Sequence, residues 1–100
     1  MRPDIDPATS FALEEVDDGQ DPQNTTEAGG EADLDTQYTV GIATGVPVTF
    51  LSVGGGGSDA DFGESLLDTT IFLHQTAHPP SVMTTSYGDT ESAFDPGLIK

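Results

Sequence analysis

The chain contains no cysteine, and only two of its 100 residues, Arg2 and Lys100, are basic. The absence of cysteine excludes a disulfide framework and a thiolate metal site. Eighteen acidic residues bring the formal net charge to −16 at neutral pH. A charge of this size and sign predicts that neither nucleic acid nor an anionic membrane is a partner.

Apolar residues are also scarce. They make up 34% of the sequence, below the roughly 45–50% usual for globular domains. A chain of this length buries only a modest core even when it is compact.

The first residues, Met1–Pro7, lack the apolar stretch of a signal peptide, so no signal peptide is expected in this chain.

Glycine and proline divide the sequence into predicted elements. Residues 1–28 are acidic with little periodicity and predict an irregular segment. A helix is predicted from near Gly29 to Gly45, with Pro47 just beyond its end. Val46–Val53 is rich in β-branched residues and predicts a buried parallel strand.

The second half continues with a helix and a strand. A helix is predicted from Phe62 or Glu64 to Thr76, ended by the two prolines that follow. Ser81–Tyr87 then predicts a second strand. The order helix, strand, helix, strand predicts an α/β fold in which a right-handed crossover joins two parallel strands.

Two carboxylates lie four residues apart on the first predicted helix. Glu31 and Asp35 share one stripe with Tyr38 and Ile42, whereas Asp33 points roughly the opposite way. Neighbouring carboxyls can share a proton, so that one serves as an acid or a base. Among eighteen acids, such pairs also arise by chance, and the spacing alone favours a solvated acidic face.

The segment Gly30–Phe50, which begins Gly-Glu-Ala-Asp-Leu-Asp, resembles the catalytic helix of the sedolisins. These are serine-carboxyl peptidases with a subtilisin-like fold, and the resemblance is greatest to their fungal tripeptidyl-peptidase branch. Val16–Gln23 and Pro80–Glu91 resemble the segments on either side. Three blocks in the family's order are more specific than one. The resemblance implies a partial subtilisin-like peptidase domain at 29–94, between the irregular segment 1–28 and a tail at 95–100.

Sedolisins use a Ser-Glu-Asp triad. The resemblance implies that Glu31 is the general base and that Asp35 orients it and shares its proton. It also implies that Ser86, Tyr87 and Gly88 line the substrate cleft. The implied activity is proteolysis of peptides or proteins at acid pH, outside the cell, by a parent enzyme whose signal and pro-segment lie upstream.

The family's nucleophile motif, Ser-Gly-Thr-Ser, and the Ser-Gly-Asp segment that carries the oxyanion Asp do not occur in these 100 residues. We therefore expect the segment to be inactive alone. The family's calcium site lies near its C-terminus, so no cofactor or metal is expected here. The alternative function is an acidic, non-catalytic protein-interaction module.

Other motifs are weaker. Gly55–Ala60 fits Gly-x-Gly-x-x-Ala, a dinucleotide-binding pattern, but Asp59 and Asp61 would repel a phosphate. His74 and His78 are four residues apart without an evident third metal ligand. We interpret these segments as a surface loop and as one packed or capping histidine with one loop histidine.

Asn24-Thr25-Thr26 fits the acceptor sequence for N-glycosylation. Such triplets are frequent by chance in threonine-rich loops. The motif agrees with secretion.

Overall fold

The computed structural model describes residues 2–27, 29–55, 59–94 and 96–97. Its elements follow one another as strand β1, helix α1, strand β2, helix α2 and a short 3-10 turn, which cover Ala12–Val16, Gly30–Ile42, Thr49–Val53, Asp59–Gln75 and Glu91–Ala93. The chain is therefore α/β, as predicted. It divides into two compact units, Met1–Glu14 with Asp21–Ser52 and Glu15–Gln20 with Val53–Lys100.

Strands β1 and β2 form a two-stranded sheet. The amide of Ala12 donates to the carbonyl of Val48 at 2.8 Å, and the amide of Gly54 donates to the carbonyl of Val16 at 2.9 Å. The residue numbers rise together along both strands, so the pairing is parallel. Helix α1 lies between the strands in sequence, which makes β1, α1 and β2 a βαβ unit.

Helix α1 has the predicted boundaries within a few residues. Gly29 precedes it in an extended conformation, and the acidic Glu31 and Asp33 occupy its first turn, where the helix dipole favours negative charge. The amide of Ala43 closes the last turn on the carbonyl of Thr39 at 2.8 Å. Gly45 follows with φ of 82°, a conformation that glycine adopts without strain.

Helix α2 and strand β2 were also predicted, and their observed bounds differ by a few residues. β2 begins at Thr49 rather than Val46, because Pro47 has no amide hydrogen to donate to a sheet. α2 begins at Asp59, earlier than predicted, and ends at Gln75. The amide of Thr76 then donates to the carbonyl of Phe72 at 3.0 Å.

Two parts of the predicted architecture are wrong. Ser81–Tyr87 is not a strand: it is exposed along its whole length and has no regular structure. The strand that pairs with β2 is β1, which lies inside the segment predicted to be irregular. β1 ends where Asp17 and Asp18 adopt left-handed conformations, with φ of 49° and 61°, which stop the extended backbone.

The described residues contain no fully buried apolar or polar side chain. In the first unit, the rings of Phe11 and Phe50 meet edge to face with centroids 5.8 Å apart. Helix α1 leaves large side chains exposed, since Tyr38 is 64% and Ile42 is 76% accessible to solvent. Little apolar burial therefore stabilises the described part of the chain.

Candidate functional site

Helix α1 places Glu31 and Asp35 one turn apart, and the side chains of both are half-buried. Asp33 lies between them in sequence and is exposed. A rotation of about 100° per residue carries Asp33 to the far side of the helix from the other two carboxylates. The sequence predicts that Asp33 points away from Glu31 and Asp35, and the greater exposure of Asp33 agrees with that prediction.

The apolar part of the same stripe is open. Tyr38, Thr39, Ile42 and Ala43 line a shallow surface depression at the C-terminal half of α1. The carboxylate pair and this apolar depression therefore lie on the same helix, the pair in its N-terminal half and the depression in its C-terminal half.

Ser86, Tyr87 and Gly88 belong to the second unit, whereas the carboxylate pair belongs to the first. Glu31 and Asp35 thus lie on one helix of the first unit, and the three cleft candidates lie in the second unit. Ser86, Tyr87 and Gly88 are all exposed.

An aromatic cluster holds the segment that contains these cleft candidates. The ring of Tyr87 lies 6.3 Å from that of Phe62 on helix α2, and Phe62 also lies 5.9 Å from Phe94. These contacts anchor the backbone next to Ser86 and Gly88 although it forms no strand.

Metal and nucleotide candidates gain little from the structure. Within residues 2–27, 29–55, 59–94 and 96–97, no three metal-ligating side chains cluster. His74 and His78 are both exposed, and only the first is in α2. The central residues of the Gly-x-Gly-x-x-Ala pattern, 56–58, lie outside the described part of the chain.

The sequence had not indicated any role for Arg2. Its guanidinium donates to both carboxylate oxygens of Asp4, at 2.9 Å and 2.6 Å, and to the carbonyl oxygen of Gly41 at 3.0 Å. The hydrogen bond from Arg2 lowers the pKa of the Asp4 carboxyl to about 2. Only the scarcity of basic residues could have drawn attention to this residue.

Among the described residues, no helix has the length and apolar character needed to cross a lipid bilayer.

Two curated proteins are similar to this chain. One is a probable tripeptidyl-peptidase, SED2, of Arthroderma benhamiae, 32% identical over 94 residues that cover 82% of this chain and 16% of the relative. The other is the tripeptidyl-peptidase SED2 of Arthroderma otae, 32% identical over 96 residues with the same coverage of each chain. The chain thus spans about a sixth of the length of these relatives and is similar to one segment of each.

No protein-family model matches the chain. No solved structure matches it either. The similarity to the two tripeptidyl-peptidases therefore relates this chain to a peptidase segment without extending to the remaining five sixths of those proteins.

Proposed function

We propose that this chain is a segment of a serine-carboxyl peptidase of the sedolisin type, with residues 29–94 forming part of its subtilisin-like domain. The parent enzyme cleaves peptides or proteins at acid pH outside the cell, in the manner of a tripeptidyl-peptidase. The observation that carries the proposal is the similarity of 82% of the chain to the two tripeptidyl-peptidases. The half-buried pair on α1 supports it.

In this proposal Glu31 takes the proton from the hydroxyl of a serine nucleophile supplied by the longer protein. Asp35 holds the Glu31 carboxyl in position and shares its proton. A carboxylate base stays ionised to a much lower pH than an imidazole, which suits catalysis in acid. Ser86, Tyr87 and Gly88 contribute to the substrate cleft.

The exposed apolar side chains of α1 fit a segment of a larger domain. A helix that flanks a parallel sheet normally has neighbours on its apolar face. In the intact domain those neighbours would cover Tyr38 and Ile42 and lower the dielectric around the carboxylate pair. No step of catalysis proceeds in these 100 residues alone, because the nucleophile and the oxyanion Asp belong to motifs that they do not contain.

The test compares two proteins. The first is this chain alone. The second is this chain joined to the downstream part of a tripeptidyl-peptidase, including its Ser-Gly-Thr-Ser motif. We expect peptide cleavage in acid only from the second protein, and we expect it to release tripeptides from a free N-terminus. Cleavage by the chain alone that persists after Glu31→Gln would contradict the proposal.

A further inference from the structure

Asn24, Thr25 and Thr26 form an exposed turn that precedes helix α1 in the first unit. The turn is closed by the amide of Glu27, which donates to the carbonyl oxygen of Asn24 at 3.2 Å. No other asparagine occurs in the sequence. Any chemistry specific to an asparagine side chain must therefore take place here.

The side chain of Thr26 is held against the carboxamide of Asn24. The backbone amide of Thr26 donates to Asn24 Oδ1 at 3.1 Å, and the hydroxyl of Thr26 donates to the same oxygen at 2.7 Å. This is an Asx turn, a local conformation that Asn forms readily. The acceptor sequence requires a hydroxyl two positions after Asn, and here that hydroxyl is hydrogen-bonded to the carboxamide oxygen of Asn24.

The nitrogen of the same carboxamide faces the other way. Asn24 Nδ2 donates a hydrogen bond to Glu27 Oε2. A carboxamide nitrogen carries two hydrogens, so this bond and a substituent on Nδ2 are compatible. Because Asn24 and both threonines are exposed, a bulky, hydrated substituent here displaces no packed side chain.

We propose that Asn24 is an N-glycosylation site, whose donor is an oligosaccharide linked to a polyprenyl diphosphate. Asn24 Nδ2 forms a bond to the anomeric carbon of the first sugar while the bond from that carbon to the diphosphate oxygen breaks. The polyprenyl diphosphate leaves with the bonding electrons, and Nδ2 loses one proton to the transferase. The hydrogen that stays on Nδ2 keeps the contact with Glu27.

This modification is independent of peptidase activity, so its test is separate from that of the proposed function. The full chain is produced behind a cleavable secretion signal in a eukaryotic host, and its intact mass is measured before and after peptide-N-glycosidase. We expect an added mass that the enzyme removes. Translation into microsomes gives a second readout that does not require the chain to be secreted.

Four variants isolate the site. Asn24→Gln and Thr26→Ala should abolish the added mass completely. Thr26→Ser, which keeps the hydroxyl, and Thr25→Ala, which changes the neighbouring exposed threonine, should retain it. An unmodified wild-type chain in both the secreted and the microsomal preparation would overturn the proposal, as would an added mass that persists in Asn24→Gln.

Discussion

The guanidinium of Arg2 donates a hydrogen bond to the carbonyl oxygen of Gly41, 39 residues away, at 3.0 Å. Gly41 lies in the last turn of α1, where carbonyl oxygens have no donor within the helix. The last turn contains no basic residue of its own. Arg2 therefore supplies from outside the helix the positive charge that a helix C-terminus favours.

Removing this contact should loosen the end of α1. In Arg2→Ala we expect faster amide hydrogen exchange at Ala43, whose hydrogen bond to Thr39 closes the last turn. Lys100→Ala removes the same charge from the other end of the sequence and serves as the control. Equal changes in exchange in both variants would show that net charge, and not the contact, is responsible.

The pairing of Arg2 with Asp4 should be visible in a pH titration. The pKa of Asp4 is lowered to about 2, whereas an unfolded Asp titrates near 3.9. The pair's contribution to stability is therefore present above about pH 4 and is lost as the pH falls through about 2. Carbon NMR of the Asp4 carboxyl should show this low pKa, and in Arg2→Ala the pKa should rise towards its ordinary value.

Glu31→Gln should lower turnover at least about a hundredfold in a protein that also contains the nucleophile, because the substitution removes the proposed general base. Turnover is measured by release of a chromogenic group from a tripeptide substrate in acid. Binding of the tripeptide substrate should change less than turnover, since Glu31→Gln preserves the shape of the side chain.

Asp35→Asn should also reduce turnover severely, because the proposed partner of Glu31, which orients its carboxyl and shares its proton, is lost. Asp33→Asn is the matched control on the exposed side of the helix, and its turnover should match the wild type. If Asp33→Asn loses turnover while Asp35→Asn retains it, the roles assigned to these two positions are wrong.

Packing requires a glycine at position 54. A Cβ there would overlap the carbonyl oxygen of Asp17 and lie 2.8 Å from its carbonyl carbon. Gly54→Ala should therefore destabilise the fold by about 1–3 kcal/mol, the usual cost of overpacking. Gly41→Ala, in a helix with open space around the new Cβ, should instead stabilise it by about 0.5–1 kcal/mol. Chemical denaturation of the chain joined to the downstream part of a tripeptidyl-peptidase measures both.

Local patterns predicted the helices well and the sheet poorly. Gly29, Gly45 and Pro47 mark the ends of α1 within the sequence itself, and the spacing of Glu31 and Asp35 follows from helical geometry. Strand β1 has two glutamates in five residues and becomes a strand by pairing with distant residues. Ser81–Tyr87 has the composition of a strand, but β2 pairs with β1 instead.

The isolated chain should fold only marginally. A two-stranded sheet is rarely stable alone, and the described residues contain no fully buried side chain to support it. Circular dichroism should therefore show no sharp thermal transition. A cooperative transition in a monomer, together with saturable binding of a protein ligand, would favour the non-catalytic interaction module over the peptidase segment.

The parallel pairing of β1 with β2 also sets the order in which the chain can acquire structure. The hydrogen bond from Ala12 to Val48 joins residues 36 positions apart, so the sheet must wait until the whole of α1 has left the ribosome. Helical turns close between near neighbours and carry a smaller loop-closure entropy. We therefore expect α1 to be the first element to form during synthesis and the strand pair to assemble after it.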